Sequence, residues 1–291
     1  MNEKALPRRE QSALLRRLAH WGALEGPQAL LRFGPRPIGA AFGLALPDVR
    51  RRIVSNLRRV HGRRGALREQ LDALSTLANY AACFAEAMAA SREGAAPRVK
   101  VTGESLLREA LGRGGVVLVT AHVGPWEMTA QLLGQELSAD VVLVMEPEPN
   151  AAAGELQDRW RSERGLRMLH IGAHPTDALP LIAHLKQGGV VALQMDRLPP
   201  SGRVLSVTLF GEPFEVPEGP FRLAALSAAQ VVPVFSRRTG FFEYELAVAE
   251  PIGLGRRPKA DELQAAAQSA ADAMQGFVQQ SPTQWFHFQA R

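Results

Sequence analysis

The chain has 291 residues and a formal net charge of +5, with 46% hydrophobic and 22% charged residues. This composition is typical of a folded globular protein and excludes a fibrous or largely disordered chain. The single cysteine, Cys83, excludes an intrachain disulfide framework and a cysteine-based zinc cluster. At about 150 residues per domain, the length allows one large domain or two small ones.

The basic residues are concentrated at the N-terminus. Residues 1–64 contain 14 lysines and arginines against four acidic residues, a net charge of +10, whereas residues 65–291 have a net charge of −5. Such asymmetry predicts contact with a polyanion, either nucleic acid or an anionic membrane surface. Aromatic residues that could stack on bases are sparse in this segment and no recognition motif is present, so nucleic acid is not a predicted partner.

The same segment is too polar to contain a simple membrane span. Its longest apolar run, 38–46, has nine residues, whereas a spanning helix needs about 20. Arginines are interleaved with apolar side chains, a pattern that predicts short amphipathic helices lying in an anionic membrane interface. Ordinary helices with a solvated basic face are the alternative.

The rest of the chain predicts a long helix followed by alternating strands and helices. Leucine and alanine at spacings of three and four predict a helix over 66–93. In chain order, the pattern then predicts strand 99–101, helix 104–111, strand 116–120, helix 125–136, strand 141–145, helix 153–164, strand 167–171, helix 176–187, strand 190–195, a hairpin over 204–216, helix 219–227, strands 231–235 and 242–249, and helix 260–280. This alternation predicts an α/β fold with a mainly parallel, mixed sheet flanked by helices. A helical basic N-terminal cap (1–64) and a core (65–291) would form one structural unit.

A histidine follows the apolar strand 116–120. In open α/β sheets, ligands bind at the carboxyl ends of the strands. His122 falls in the turn after this strand, and Glu127 falls in the first turn of the next helix. An imidazole held by a carboxylate can act as a general base, so we predict His122 as the base and Glu127 as its partner, with a pH profile set by a histidine pKa. A structural histidine at a strand end is the alternative.

Several segments resemble one enzyme family. The segment 114–127, which contains His122 and Glu127, resembles the first motif of the late lipid A acyltransferases, a branch of the lysophospholipid acyltransferase family with its H-x4-D/E signature. Further similar segments follow the order of the family over most of the chain, at 50–57, 161–165, 193–197, 210–211, 217–220, 229–234 and 282–288. In the segment 193–197, the Asp196-Arg197 pair resembles the pair found in the phosphatidylinositol mannoside acyltransferases. The lipid A branch commonly has aspartate-glutamine at this place.

The resemblance implies transfer of a fatty acyl group from an acyl-carrier-protein or coenzyme A thioester to a hydroxyl of a bacterial membrane lipid or glycolipid. It implies a peripheral or monotopic protein at the cytoplasmic face of the inner membrane. His122 would remove the acceptor proton, with no covalent intermediate, since no G-x-S-x-G serine is present. Arg161, with Arg164 as the competing choice, would face a phosphate or the developing oxyanion. Asp196 and Arg197 would position either substrate. A structural ion pair is the alternative for these two residues, and a solvated helix arginine is the alternative for Arg161.

Other functions stay open at this point. A thioesterase or lipid hydrolase could use water in place of the acceptor, and a non-catalytic lipid-binding module could share the fold. No cofactor beyond the acyl thioester co-substrate is predicted. No metal site is predicted for the spaced pair His170 and His174 either, because His174 lies in a strand-to-helix loop, no helix holds both on one face and no third ligand is evident.

Overall fold

The computed structural model describes residues 21–92, 97–129, 133, 139–146, 151–163, 165–171, 175–199 and 202–289. Its nine strands are β1 (Arg98–Thr102), β2 (Val116–Thr120), β3 (Val141–Met145), β4 (Arg167–His170), β5 (Val190–Gln194), β6 (Val204–Leu209), β7 (Glu212–Pro217), β8 (Gln230–Gly240) and β9 (Glu243–Val248). Seven of them form one sheet in the order β1-β9-β8-β2-β5-β3-β4, and β6 pairs with β7. Within the large sheet, β8 and β9 are antiparallel and all other neighbours are parallel. The predicted α/β fold is confirmed.

The named helices are α1 (Gln28–Phe33), α2 (Pro35–Ala45), α3 (Pro47–His61), α4 (Ala66–Met88), α5 (Glu104–Arg113), α6 (Ala151–Glu163), α7 (Leu179–Lys186), α8 (Gly219–Ser227) and α9 (Ala260–Gln280). Residues 21–25 and 126–129 are also helical. Strand β8 is longer than predicted, because antiparallel pairing with β9 continues beyond its apolar residues. Much of the predicted helix 125–136 lies outside the described residues.

Strand β2 lies at the centre of the sheet, between β5 and β8. All five of its residues are buried. On one face, Val117 and Val119 belong to a core that includes residues of α8 and α9. On the other face, Leu118 belongs to a core that includes residues of α4 and α5. Burial on both faces explains the uninterrupted apolar run of this strand, and its carboxyl end delivers residue 122 to the edge of the sheet.

The helices of the cap pack on α4. Gly39 and Gly43 of α2 face this helix so closely that a Cβ at Gly39 would collide with the carbonyl oxygen of Leu77. Residues of α3 form a further core cluster with Ala73 and Leu77 of α4. The predicted boundary at 64/65 falls in the short connection between α3 and α4. Within the described part of the chain, no helix combines the length and apolar character that crossing a membrane requires.

Several arginines of the cap form ion pairs within the molecule. Arg58 pairs with Glu69 at 2.6 Å, Arg59 with Glu212 at 2.9 Å and Arg64 with Asp72 at 3.4 Å. The acidic partners come from α4 and from β7. Part of the positive charge that the sequence assigned to an external polyanion is therefore neutralised by the protein itself.

Candidate active site

His122 lies where β2 and β5 end side by side. Its backbone N–H donates to both carboxylate oxygens of Asp196, at 3.1 Å each, and its Nδ1 lies 2.8 Å from Asp196 Oδ1. The register of these strands pairs Thr120 with Gln194, which places the residues that follow each strand next to one another. Because an ionised carboxylate can only accept, Nδ1 carries the proton and Nε2 keeps a lone pair that can accept one.

Asp196 is completely buried and has a further donor. The indole Nε1–H of Trp285 donates to its Oδ2 at 3.1 Å, and Nδ1 of His287 lies 3.8 Å from the same oxygen. Burial raises the pKa of Asp196, but the interactions with His122 and His287 outweigh burial and hold this pKa well below its usual value. The sequence placed Asp196 only as a substrate-positioning residue, and gave Trp285 no role beyond the resemblance of its segment.

The imidazole of His122 is neutral at physiological pH. Burial, and after it the positive charge of Arg197, lowers the pKa of His122 to about 4, against the opposite effect of Asp196. The side chain is 11% exposed, and the ring of Trp126 packs edge-on against it with a centroid separation of 5.6 Å. The arrangement therefore presents an unprotonated base beside an ionised carboxylate.

The C-terminal segment 282–289 holds the loop that carries His122. The N–H of Phe286 donates to the His122 carbonyl at 2.7 Å, and the N–H of Gly124 donates to the carbonyl of Gln284 at 2.9 Å. Gly124 has a φ of 56°, and a Cβ there would collide with the carbonyl oxygen of Ser236. Only glycine fits this close approach of the loop to β8.

Two asparagines anchor the same C-terminal segment. Asn56 of α3 donates to the carbonyl oxygens of His287 and Gln289, at 2.6 and 3.2 Å. Asn79 of α4 donates to the carbonyl and hydroxyl oxygens of Thr283, at 3.2 and 3.1 Å. Sequence reasoning missed these contacts, because each joins residues more than 200 positions apart. The signal available in the sequence was an asparagine on an apolar helix face, which indicates a buried hydrogen-bond partner.

Glu127 and Arg161 contact one another. Arg161 Nη2 donates to Glu127 Oε1 at 2.6 Å, and Arg161 Nη1 lies 3.4 Å from Asp158 Oδ1. The sequence assigned the carboxylate beside His122 to Glu127, whereas in the structure Asp196 occupies the Nδ1 position. Arg161, predicted to face a phosphate or an oxyanion, faces two carboxylates of its own chain.

The other residues singled out from the sequence are two arginines, Arg197 and Arg164, and two histidines, His170 and His174. Arg197 Nη2 donates to the carbonyl of Phe286 at 3.0 Å, while its buried Nε has no hydrogen-bond partner within the described part of the chain. Arg164 and His174 lie outside the described residues. His170 Nε2 lies 2.7 Å from Asp158 Oδ2, at hydrogen-bond distance from a carboxylate that also lies near Arg161.

We expect Arg161→Met to lower the free energy of unfolding by about 3 kcal/mol, because it leaves a mostly buried carboxylate without its cation. The side chains of Arg161 and Glu127 are 7% and 16% exposed. Urea unfolding measures the effect. Arg113→Met is the matched control, since its pair with Glu109 is 61% and 62% exposed and is worth no more than about 1 kcal/mol. Equal losses in the two variants would contradict a stabilising role for the buried pair.

A mainly apolar cavity of about 400 Å³, including space open to solvent, lies beside His122. Its apolar wall comes from the sheet and from the helix that begins at Trp126, and includes Leu118, Leu133, Leu143, Ala192 and Val234. Trp126 joins the cavity to the base, because the ring that lines the cavity also contacts His122. The apolar lining suits a hydrocarbon chain.

Residues 14–291 match the family described as bacterial lipid A biosynthesis acyltransferase. The chain belongs to this family. The resemblance stated from the sequence is thereby confirmed, and the protein is an acyltransferase that acts on lipid substrates.

One solved structure resembles this acyltransferase over most of its length. The chain is similar to the crystal structure of the 1-acyl-sn-glycerophosphate (LPA) acyltransferase PlsC from Thermotoga maritima, with 14% sequence identity and a TM-score of 0.40. The similarity covers 93% of this chain and 97% of that chain. A comparison with curated protein sequences gives no match.

Proposed function

We propose that this acyltransferase moves a fatty acyl chain from an acyl-carrier-protein or coenzyme A thioester to a hydroxyl of a bacterial membrane lipid or glycolipid, with lipid A precursors the acceptor class that the family description favours. The observation that carries the proposal is the neutral His122 imidazole, held by Asp196 beside an apolar cavity. The acyl chain lies in this cavity, and the thioester carbonyl faces Nε2 of His122.

The reaction needs no covalent enzyme intermediate. Nε2 of His122 takes the proton of the acceptor hydroxyl while the oxygen attacks the thioester carbonyl. Asp196 stabilises the imidazolium that forms. The tetrahedral intermediate then expels the thiolate, which takes the proton from His122, so that an ester and a free thiol leave the enzyme. Arg197 binds a phosphate of the donor or the acceptor through its unpartnered Nε. A catalytic part for Glu127 stays a prediction.

Thiol release tests this function. The purified protein is given acyl-coenzyme A or acyl-carrier protein with a labelled acyl chain, with and without extracted bacterial lipid. We expect thiol release to require lipid and the label to appear in an acylated lipid. Release without lipid, with the label in free fatty acid, would replace the transferase by a thioesterase; no release with either donor would favour a non-catalytic lipid-binding module.

The cap supplies a surface for membrane contact. Trp21, Leu30, Phe33, Ile38, Phe42 and Leu44 are each more than half exposed, and we call these six side chains the apolar cap face. Helix α2 buries its glycines against α4 and turns its bulky apolar residues outward, the reverse of an ordinary amphipathic helix in water. The charge of the cap, reduced by its internal ion pairs, adds attraction to anionic lipid. We propose that this face inserts into the cytoplasmic surface of the inner membrane.

The cap is joined to the active site by hydrogen bonds. Arg36 of α2 donates to Asn79 of α4 at 2.9 Å, and Asn79 donates to Thr283. The next residue, Gln284, accepts from the N–H of Gly124 in the His122 loop. This continuous chain supports delivery of a membrane-bound acceptor to His122 by a cap that is docked on the bilayer.

We expect Phe33→Ser and Phe42→Ser each to weaken binding to anionic lipid vesicles by about tenfold, because each removes an exposed aromatic ring from the membrane contact. Vesicle sedimentation measures the effect. Leu226→Ser is the matched control, since Leu226 is 59% exposed but lies on α8. Equal binding of all three variants and the unmodified chain would contradict the apolar cap face as the docking surface.

A further inference from the structure

The wall of the apolar cavity contains two buried donors that have no hydrogen-bond partner among the residues that the structure describes. These are the hydroxyl Oγ1 of Thr120 and the amide Nε2 of Gln194. They are neighbours on adjacent strands, since the register of β2 and β5 pairs Thr120 with Gln194. An unpartnered buried donor lowers the stability of a fold, so two together in one cavity require an explanation, and a ligand that accepts two hydrogen bonds supplies it.

The position of this pair identifies the part of a ligand that it meets. Thr120 lies two residues before His122, and Gln194 lies two residues before Asp196, a distance of roughly 7 Å along extended backbone. Leu118 and Ala192, two residues earlier on the same strands, form the deeper apolar wall. An acyl chain that lies along this wall with its reactive end toward His122 therefore brings its carbonyl end to the two donors.

Resting on the proposed function, we propose that Thr120 and Gln194 donate hydrogen bonds to the carbonyl oxygen of the acyl thioester. When the acceptor oxygen attacks the carbonyl carbon, the π electrons of the C=O bond move to the carbonyl oxygen, and the two donors stabilise the negative charge on it. The C=O bond forms again as the C–S bond breaks. Preorganised donors of this kind stabilise a transition state more than a ground state. Arg161, the candidate from the sequence for this task, is already paired with Glu127 and Asp158.

Thr120→Val and Gln194→Met remove the donors while keeping the side-chain volume. We expect each to lower kcat for thiol release by about 100-fold, with the KM of the acyl thioester changed less than about threefold. We also expect the urea midpoint to stay unchanged or rise, because each variant removes an unsatisfied buried group. Thr76→Val is the matched control: Thr76 is a buried threonine of α4 that does not line the cavity, and its hydroxyl donates to the Asp72 carbonyl at 2.9 Å, so kcat should be kept.

If the unmodified chain releases thiol, two outcomes would overturn the proposed role of Thr120 and Gln194 without contradicting the proposed function. One is a kcat within about threefold of the unmodified value in both Thr120→Val and Gln194→Met. The other is an equal loss of kcat in Thr76→Val, which would indicate a general effect of removing a buried threonine hydroxyl. Absence of thiol release from the unmodified chain with every donor would instead overturn the proposed function and this inference together.

Discussion

His122→Asn is expected to lower kcat for lipid-dependent thiol release by at least about 1,000-fold, because it removes the imidazole that we propose takes the acceptor proton. Asparagine can keep the donor that Nδ1 now directs to Asp196 at 2.8 Å, but it has nothing at the position of Nε2. The variant therefore removes the base and spares the contact to the buried carboxylate. The measurement is steady-state turnover of an acyl thioester in the presence of acceptor lipid.

The comparison with His122→Ala separates chemistry from folding. Alanine also removes the base, and in addition it leaves Asp196 without one of its donors, so we expect a lower urea midpoint than in His122→Asn. The two variants should share the same residual turnover. Turnover of His122→Asn within tenfold of the unmodified enzyme would exclude His122 as the general base.

The pH dependence of the unmodified enzyme follows from the same residue. The pKa of His122 lies at about 4 because of burial and the nearby Arg197, below the ordinary value of about 6.5. The active, unprotonated form persists as pH falls from 8 to 5, so kcat/KM should fall only as pH approaches 4. The sequence alone predicts a limb at an ordinary histidine pKa, whereas burial of His122 leads us to expect the limb at lower pH. Since the unfolded chain takes up this proton first, His122 also lowers the stability of the fold as pH falls from about 6.5 to about 4.

The parts of the fold that were predictable from the sequence are those encoded locally. Strand β2 is a run of five apolar and β-branched residues, which is typical of a central parallel strand. The turn after it had to lie at the carboxyl edge of a sheet, so His122 was identified without knowledge of its neighbours. The hairpin of β6 and β7 was also predicted, and its turn residues Phe210 and Gly211 adopt φ values of 54° and 78°, as a tight hairpin requires.

The partner of His122 could not be predicted in the same way. Glu127 is five residues from His122 in the sequence, whereas Asp196 is 74 residues away and becomes its neighbour only through the pairing of β2 with β5. The donor from Trp285 comes from still farther along the chain. The sequence also could not show which basic residues of the cap are paired within the protein. Arg58, for example, forms an ion pair with Glu69 of the next helix. Prediction from sequence spacing favours partners that are close along the chain, whereas the order of the strands determines which distant residues become neighbours.

Asp196→Asn is expected to lower kcat by about 1,000-fold or more, because it removes the acceptor that fixes the tautomer of His122. Asp196 accepts from the His122 backbone, from Nδ1 and from the Trp285 indole. An asparagine amide replaces one accepting oxygen by a donor, so one of these contacts must be lost. If Nδ1 loses its acceptor, the proton moves to Nε2, and the imidazole can no longer take a proton from the acceptor hydroxyl.

Nitrogen NMR of the histidine ring distinguishes Asp196 from Glu127 as the group that orients the base, independently of turnover. We expect Glu127→Gln to keep the proton of His122 on Nδ1, because the structure places Glu127 against Arg161. Asp196→Asn should shift that proton to Nε2. The opposite pattern, with the tautomer changed only in Glu127→Gln, would restore the dyad of His122 and Glu127 that the spacing favours. A change in both variants would mean that both carboxylates influence the tautomer of the ring.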